Sequence, residues 1–451
     1  MSQVLGRAVA VALLVLAAGM AEAKPAVLTV PEMRAFGVEA LAKGYAGQAL
    51  EVAEALVLRD VKDSSALVLK AQALRVLHRL PDSEAAARQA WRLAADGGAR
   101  YLAATSVAQA LSLQGHRTLA QYWLRQAVQN APSGVAQAQA LQDFNYVRAQ
   151  NPLSLHVSAS LRPSDNVNGG ARDPLFDFHG IPFILSGDAL ALSGLAYGLG
   201  VDGRYKLGET AAAETFLTFD ASQQGVVLSE AARVQAPQAR NGAYALSHLE
   251  AGVQRKAALA FGEVTTDFVA GHTWYGGQDL SSSLGASVEL GHPLGRGATG
   301  TFGASLTRQI RLDRPVSSST EAEASARLQA AGARGDQWQG SLTLSRVVSE
   351  DIGIDHAEAT LGLGWRASHP VGGVTLGVNV SVRGADYAAS PYTATGRQDL
   401  HWQASVQATV NKMTYLGFAP VLSLDLARND SNVALYDTQT FGLSLSVASR
   451  F

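Results

Sequence analysis

From Leu153 to the last residue, apolar side chains recur at every second position. In the final segment Phe441, Leu443, Leu445, Val447 and Phe451 alternate with Thr440, Gly442, Ser444, Ser446 and Arg450. The same alternation runs through Val374, Leu376, Val378, Val380 and Val382, and again through Leu400, Trp402, Ala404 and Val406. A period of two is the mark of a strand with one oily and one wet face. The pattern predicts strands over about 153–162, 190–207, 211–220, 243–253, 259–273, 282–291, 299–310, 321–330, 336–347, 356–368, 374–383, 398–410, 416–427 and 438–451. That is about 14 strands; 12 or 16 also satisfy the pattern. Connections of about 8–27 residues alternate with connections of about 3–7, the asymmetry of an outer-membrane barrel whose short turns face the periplasm. A soluble sandwich is the competing architecture, but its wet faces carry Lys and Glu where this chain places Gly and Ser.

Between about Pro31 and Arg148 the period changes to that of helices, and Ala, Leu, Gln, Arg and Glu dominate. Turn signals at Gly44, the Arg79-Leu80 corner and Gly115 are followed five residues later by Ala49, Ala85 and Ala120, a repeat of roughly 35 residues close to that of tetratricopeptide hairpins. Its third copy is the clearest, with Gly115, Ala120, Leu124, Ala127 and Pro132 at the glycine, small, large, small and proline places. Small residues let paired helices approach, and proline ends the second helix. An ordinary helical bundle is the alternative. Ahead of this region Arg7, an uncharged run from Ala8 to Met20, and Ala21-Glu22-Ala23 form a signal-peptide pattern. The expected organisation is thus a signal peptide over 1–23, a periplasmic tetratricopeptide-like helical domain over 24–150 and a transmembrane β-barrel over 151–451.

Composition narrows the function. Lys and Arg number 36 against 38 Asp and Glu, a net charge of −2 that gives no electrostatic case for nucleic acid. There is no cysteine, which removes thiolate metal sites, thiol nucleophiles and disulfides together. No metal site, cofactor or catalytic residue is expected, and the chain reads as no enzyme. Gly198-Leu199-Gly200-Val201-Asp202-Gly203 matches the dinucleotide fingerprint, but the following residues continue a strand where the fingerprint needs a helix. Ser164 to Gly169 has oxygen side chains like those of a calcium loop, yet Ser164 and Leu175 stand where that loop needs Asp and Glu. His156, His248 and His401 read as lumen or interface residues. Glu321, Glu323, Arg327, Arg366, Arg383 and Arg450 are expected to pair across the pore.

Signal peptide, helical repeats and barrel together resemble the surface lipoprotein assembly modifier family. Pro163-Ser164-Asp165-Asn166-Val167-Asn168 is similar to its P-S-x-N-x-N segment. Gly417-Phe418-Ala419-Pro420, then Ser431-Asn432 and Tyr436, closing at Phe451, is similar to its G-x-x-P…S-N-x-x-x-Y…F ending. Pro163, Asn166, Asn168, Pro420, Ser431, Asn432 and Tyr436 are thereby candidate family positions. A terminal Phe is also shared among Gram-negative outer-membrane barrels, where the assembly machinery engages it. Family barrels are richer in Arg and Tyr than this one. The resemblance implies a translocator that assists surface display or secretion of a client lipoprotein or small secreted protein, captured by the helical domain. Its other implied partners are outer-membrane lipid and the barrel-assembly machinery, with the chain acting as a monomer. An exopolysaccharide exporter and a diffusive porin are the alternatives.

Overall fold

The computed structural model describes residues 28–178, 181–295 and 297–451. The expected signal peptide lies outside them. The chain divides into two compact units, one reaching to Val147 and one from Arg148 to Phe451.

The first unit consists of seven described helices: α1 (Val30–Ala42), α2 (Ala46–Arg59), α3 (Ser64–Val76), α4 (Leu80–Leu93), α5 (Gly97–Leu113), α6 (Arg117–Asn130) and α7 (Gly134–Gln150). Several starts are fixed by side chains that meet the free amides of a first turn. Glu32 accepts from the Thr29 amide at 2.7 Å, Asp63 from Ala66 at 3.0 Å and Asp96 from Ala99 at 2.8 Å. Alanine lines the helix contacts, with Ala49, Ala53, Ala73, Ala87, Ala90, Ala120 and Ala127 fully buried. Trp91 and Trp123 meet edge to face at 5.3 Å. No helix among the described residues is long and apolar enough to cross a membrane.

Gly44, His78 and Gly115 take positive φ at the bends α1–α2, α3–α4 and α5–α6, spaced 34 and 37 residues apart. The residue after each donates back five residues, from Tyr45 to Ala40, Arg79 to Leu74 and His116 to Leu111. Five residues beyond stand Ala49, Ser83 and Ala120, all buried. The middle copy therefore turns on His78 rather than at the Arg79-Leu80 corner, and its small residue is Ser83, whose hydroxyl donates to Ala71 O at 2.7 Å. Ala85, expected there, is exposed. A search for glycine overlooks a histidine in the left-handed region, which few side chains enter. Pro132 lies in the link between α6 and α7, past the end of the second helix of the third hairpin.

The second unit is a closed antiparallel barrel of 14 strands. They are β1 (Leu153–Ser164), β4 (Gly194–Glu209), β5 (Ala213–Leu228), β6 (Leu246–Leu259), β7 (Gly262–Tyr275), β8 (Gln278–Gly295), β9 (Ala298–Arg311), β10 (Ser319–Ala331), β11 (Gln337–Ser349), β12 (His356–Arg366), β13 (Val374–Tyr387), β14 (Arg397–Val410), β15 (Phe418–Ser431) and β16 (Thr438–Ser449). β2 (Leu175–Phe178) and β3 (Ile181–Ile184) form a separate hairpin in the first long loop. Sequence neighbours pair throughout, and β1 closes the cylinder against β16. The barrel is apolar on its outside. Leu363 is 72% exposed and Phe268 65%, while the alternate positions face the lumen. Tyr205, Phe261, Trp338 and Tyr415 stand exposed toward the short-turn end, as in the aromatic girdle of a membrane barrel.

The main departure from the expected strands is at β7–β8. The pattern called for a loop of about eight residues, but Gly276-Gly277 alone connects the strands, at φ of 60° and 80°. Two left-handed residues make the hairpin turn whose twist suits its strands. The polar run Asp279 to Ser283 hid the start of β8. The segment between β5 and β6 contains a short helix, Glu230–Gln235, and a 3-10 turn, Asn241–Tyr244.

Candidate functional site

Six of the seven family-like positions gather at the long-loop end of the barrel, and Pro420 lies at the other end, near the start of β15. Ser164 ends β1, and the chain beyond it fastens to β16. The Asp165 amide donates to Phe441 O at 3.3 Å, and the Phe441 amide donates to Asp165 Oδ1 at 2.8 Å. Asn166 is buried, with Nδ2 donating to Gly170 O at 2.9 Å and Gln439 O at 3.1 Å, and Oδ1 accepting from the Gly170 amide. Asn168 Oδ1 accepts from Leu192 N at 2.8 Å and Nδ2 donates to Leu190 O at 2.9 Å. Arg172 adds a backbone bond to Asp437 O at 2.9 Å and a side-chain contact of 3.4 Å to its carboxylate. Residues 165–172 thus form a clasp across the β1–β16 junction. Both asparagine amides are spent on backbone groups, so the calcium-like spacing serves loop architecture. Among the described residues no group of three or more His, Asp or Glu is placed to hold a metal ion.

A second knot joins the neighbouring loops. Asn432 Oδ1 accepts from the Gln398 amide at 2.8 Å, and Nδ2 donates to Gly396 O at 3.1 Å. Ser431 Oγ accepts from Val433 N at 3.1 Å, and Asn429 Nδ2 donates to Tyr436 O at 2.7 Å. The Arg397 guanidinium, on a residue only 6% exposed, lies 3.5 Å from the Tyr387 ring centre and 3.8 Å from that of Tyr436, with Nε 3.2 Å from Asp399 Oδ2. Burial pushes the Tyr436 phenol above its ordinary pKa. Tyr392 meets Tyr436 at 6.1 Å and Phe176 of the β2–β3 hairpin at 5.5 Å. The first long loop is thereby fastened over the rim as far as the β13–β14 loop. Arg397, Tyr387 and Tyr392 are not among the sequence candidates, because nothing in the sequence shows that residues of these separate strands and loops converge.

Pro163 and Pro420 lie within strands, opposite Leu195 of β4 and Val447 of β16. The β14–β15 ladder stops at Thr409 with Val421, one residue short of Pro420. Phe451 follows β16, where the Arg450 amide donates to Gly417 O at 2.8 Å.

Inside the barrel the wall is small, polar and mostly uncharged. One cavity of about 470 Å³ is bordered by Ser158, Ser160, Gly198, Ser222, Gln403 and Ser444. Another of about 440 Å³ is bordered by Gln339, Gly364, Asn379, Gln407 and Thr409. A Cβ on Gly198 or Gly200 would come within 2.8 or 2.6 Å of Oγ of Ser160 or Ser158, so the fingerprint glycines make room between strands. His156 contacts Asp202 at 2.9 Å, and His248 contacts Thr273 at 3.0 Å. His401 stands in register with Arg383 and Asn429. The expected ion pairs across the pore are absent among the described residues. Arg383 approaches Glu358 on the adjoining strand at 3.7 Å, and Arg450 Nη1 donates to Asn411 O at 3.4 Å. Charges on neighbouring strands meet without spanning the lumen, which costs less side-chain extension. The arrangement offers a wet passage whose wall is largely Ser, Gly, Gln and Asn.

An apolar outside, a polar inside and closure define an outer-membrane β-barrel protein with a helical N-terminal unit. The expected alternation of long and short connections holds only around the first strands, since 367–373 and 411–417 are at least as long as 312–318 and 350–355 on the other side. A model of the surface lipoprotein assembly modifier family matches residues 193–451, more than half of the chain, and the chain belongs to that family. The match takes in Pro420, Ser431, Asn432, Tyr436 and Phe451, and begins after Pro163, Asn166 and Asn168. No curated protein matches the sequence. Among solved structures, OprB of Pseudomonas putida is similar at 9% identity over 68% of this chain and 96% of that one, with a TM-score of 0.39. The anion-selective porin of Comamonas acidovorans is 13% identical over 66% and 100%, at 0.31. A bacterial polysaccharide outer membrane secretin is 10% identical over 65% and 98%, also at 0.31.

Proposed function

We propose that this chain is an outer-membrane translocator that assists surface display or secretion of a client lipoprotein or small secreted protein, with residues 24–150 in the periplasm capturing the client. The observation that carries the reading is the family match on a closed barrel whose lumen is polar. Three helical hairpins with alanine-lined contacts support capture, because stacked hairpins of this kind present extended surfaces to peptides. A 14-stranded barrel lies between filled eight-stranded and open 16-stranded ones, so the client passes unfolded or at the barrel wall. The work is binding and guidance, and no bond is broken. The chain acts as a monomer, and Phe451 engages the assembly machinery.

Replacing residues 24–150 with an unrelated soluble domain tests the capture role. Client display, read by protease shaving of whole cells, should be lost while the barrel keeps its heat-modifiable gel mobility. Undiminished display would refute capture by the helices.

A further inference from the structure

The junction of β1 and β16 has three unequal parts. At the rim the clasp holds it. Below, Ser160 is in register with Ser446 and Leu161 with Leu445. Between them stands Pro163. Because the Asp165 amide donates to Phe441, odd-numbered residues of β1 turn their backbone groups toward β16. Pro163 has no N–H to offer Leu443 there.

Toward the short turns the junction comes apart. No residue of β16 is in register with Leu153–Ala159, although the other edge of that stretch pairs fully with β4, from Leu153 with Tyr205 to Ala159 with Leu199. The Ala159 carbonyl still accepts from Val447, closing the Ser160–Ser446 pair, but Leu155 and Val157 turn N–H and C=O groups toward β16 and find no ladder partner there among the described residues. The side chains of Leu155 and Val157 are 45% and 54% exposed, on the apolar outer face. At that depth hydrocarbon supplies no hydrogen bonds, and each unmet backbone group costs several kcal/mol. A row of alternating donors and acceptors at strand spacing is matched by another extended backbone.

We propose that Leu153–Ala159 of β1 is a docking edge for an extended polypeptide segment of the translocated client, while the clasp at residues 165–172 keeps the barrel closed above it. The inference rests on the translocator reading. Backbone pairing supplies the recognition. The segment that fits has apolar residues alternating with small polar ones, its apolar side beside Leu155 and Val157 and its polar side beside His156 and Ser158. β16 itself is such a sequence.

The absence of native cysteine makes the test clean. In the purified full chain, the pair Ser160→Cys with Ser446→Cys should form a disulfide under mild oxidation. The pair Ser158→Cys with Ala448→Cys, the next step of a continued ladder, should not. A synthetic peptide of residues 438–449 carrying a benzophenone should label the segment 153–159. The same peptide N-methylated at alternate residues should label at least about fivefold less, since one hydrogen bond is worth about 1 kcal/mol. Full oxidation of the second pair overturns the edge, as does labelling elsewhere or labelling indifferent to N-methylation. Both readouts use the isolated chain without a client, so their failure leaves the display assay above to judge translocation separately.

Discussion

Asn166 shows how much one amide can hold. Buried at the rim, it ties Gly170 at both backbone groups and reaches Gln439 on the last strand, 273 residues away. Removing it leaves the Gly170 amide and carbonyl, which are buried, without their partner. Asn166→Ala should cost about 1–3 kcal/mol, read as a lower temperature for loss of heat-resistant gel mobility, and Asn168→Ala should act in the same direction through Leu190 and Leu192. The rim position of these residues also explains why their chemistry was legible only as a motif. A run of Pro, Ser, Asp and Asn states that a turn is wanted. It does not state that the turn closes on a strand near the opposite end of the sequence.

At the level of elements, α3 depends on Asp63. Burial pushes its carboxyl pKa up, but the Arg34 guanidinium and the Ala66 amide outweigh that and hold it below the ordinary carboxylate value. A depressed pKa contributes stability that is complete above the unfolded value of about 3.9 and is lost as pH falls through the folded value. The first unit should therefore lose helix on acidification below about pH 4, and Asp63→Asn, expected to cost about 1 kcal/mol at neutral pH, should flatten that dependence in circular dichroism. Elements were the most legible scale. Period-two runs marked all 14 barrel strands because lipid and lumen impose opposite demands on alternate residues. The polar start of β8 and the turn at His78 escaped because one lacks apolar alternation and the other lacks glycine.

For the molecule as a whole, solvent preference is inverted. Leu363 projects outward and Gln403 inward, each within the strand run. Leu361→Arg, at the middle of β12 on the same outer face, should therefore cost about 2–4 kcal/mol near the bilayer midplane and reduce the amount of folded barrel in the membrane fraction. Gln403→Arg should assemble normally and change only the ion selectivity measured in a planar bilayer. Equal assembly of the two variants would contradict the assignment of faces.

Because β1 and β16 are the first and last strands of the cylinder, their meeting is the longest-range event in its construction. The Asp165–Phe441 contact joins residues 276 positions apart. Each hairpin between them forms locally, but this one joint must wait for nearly the entire sheet to exist. The residues that fasten it have their partners within reach only once the intervening strands have brought the two ends of the sheet together.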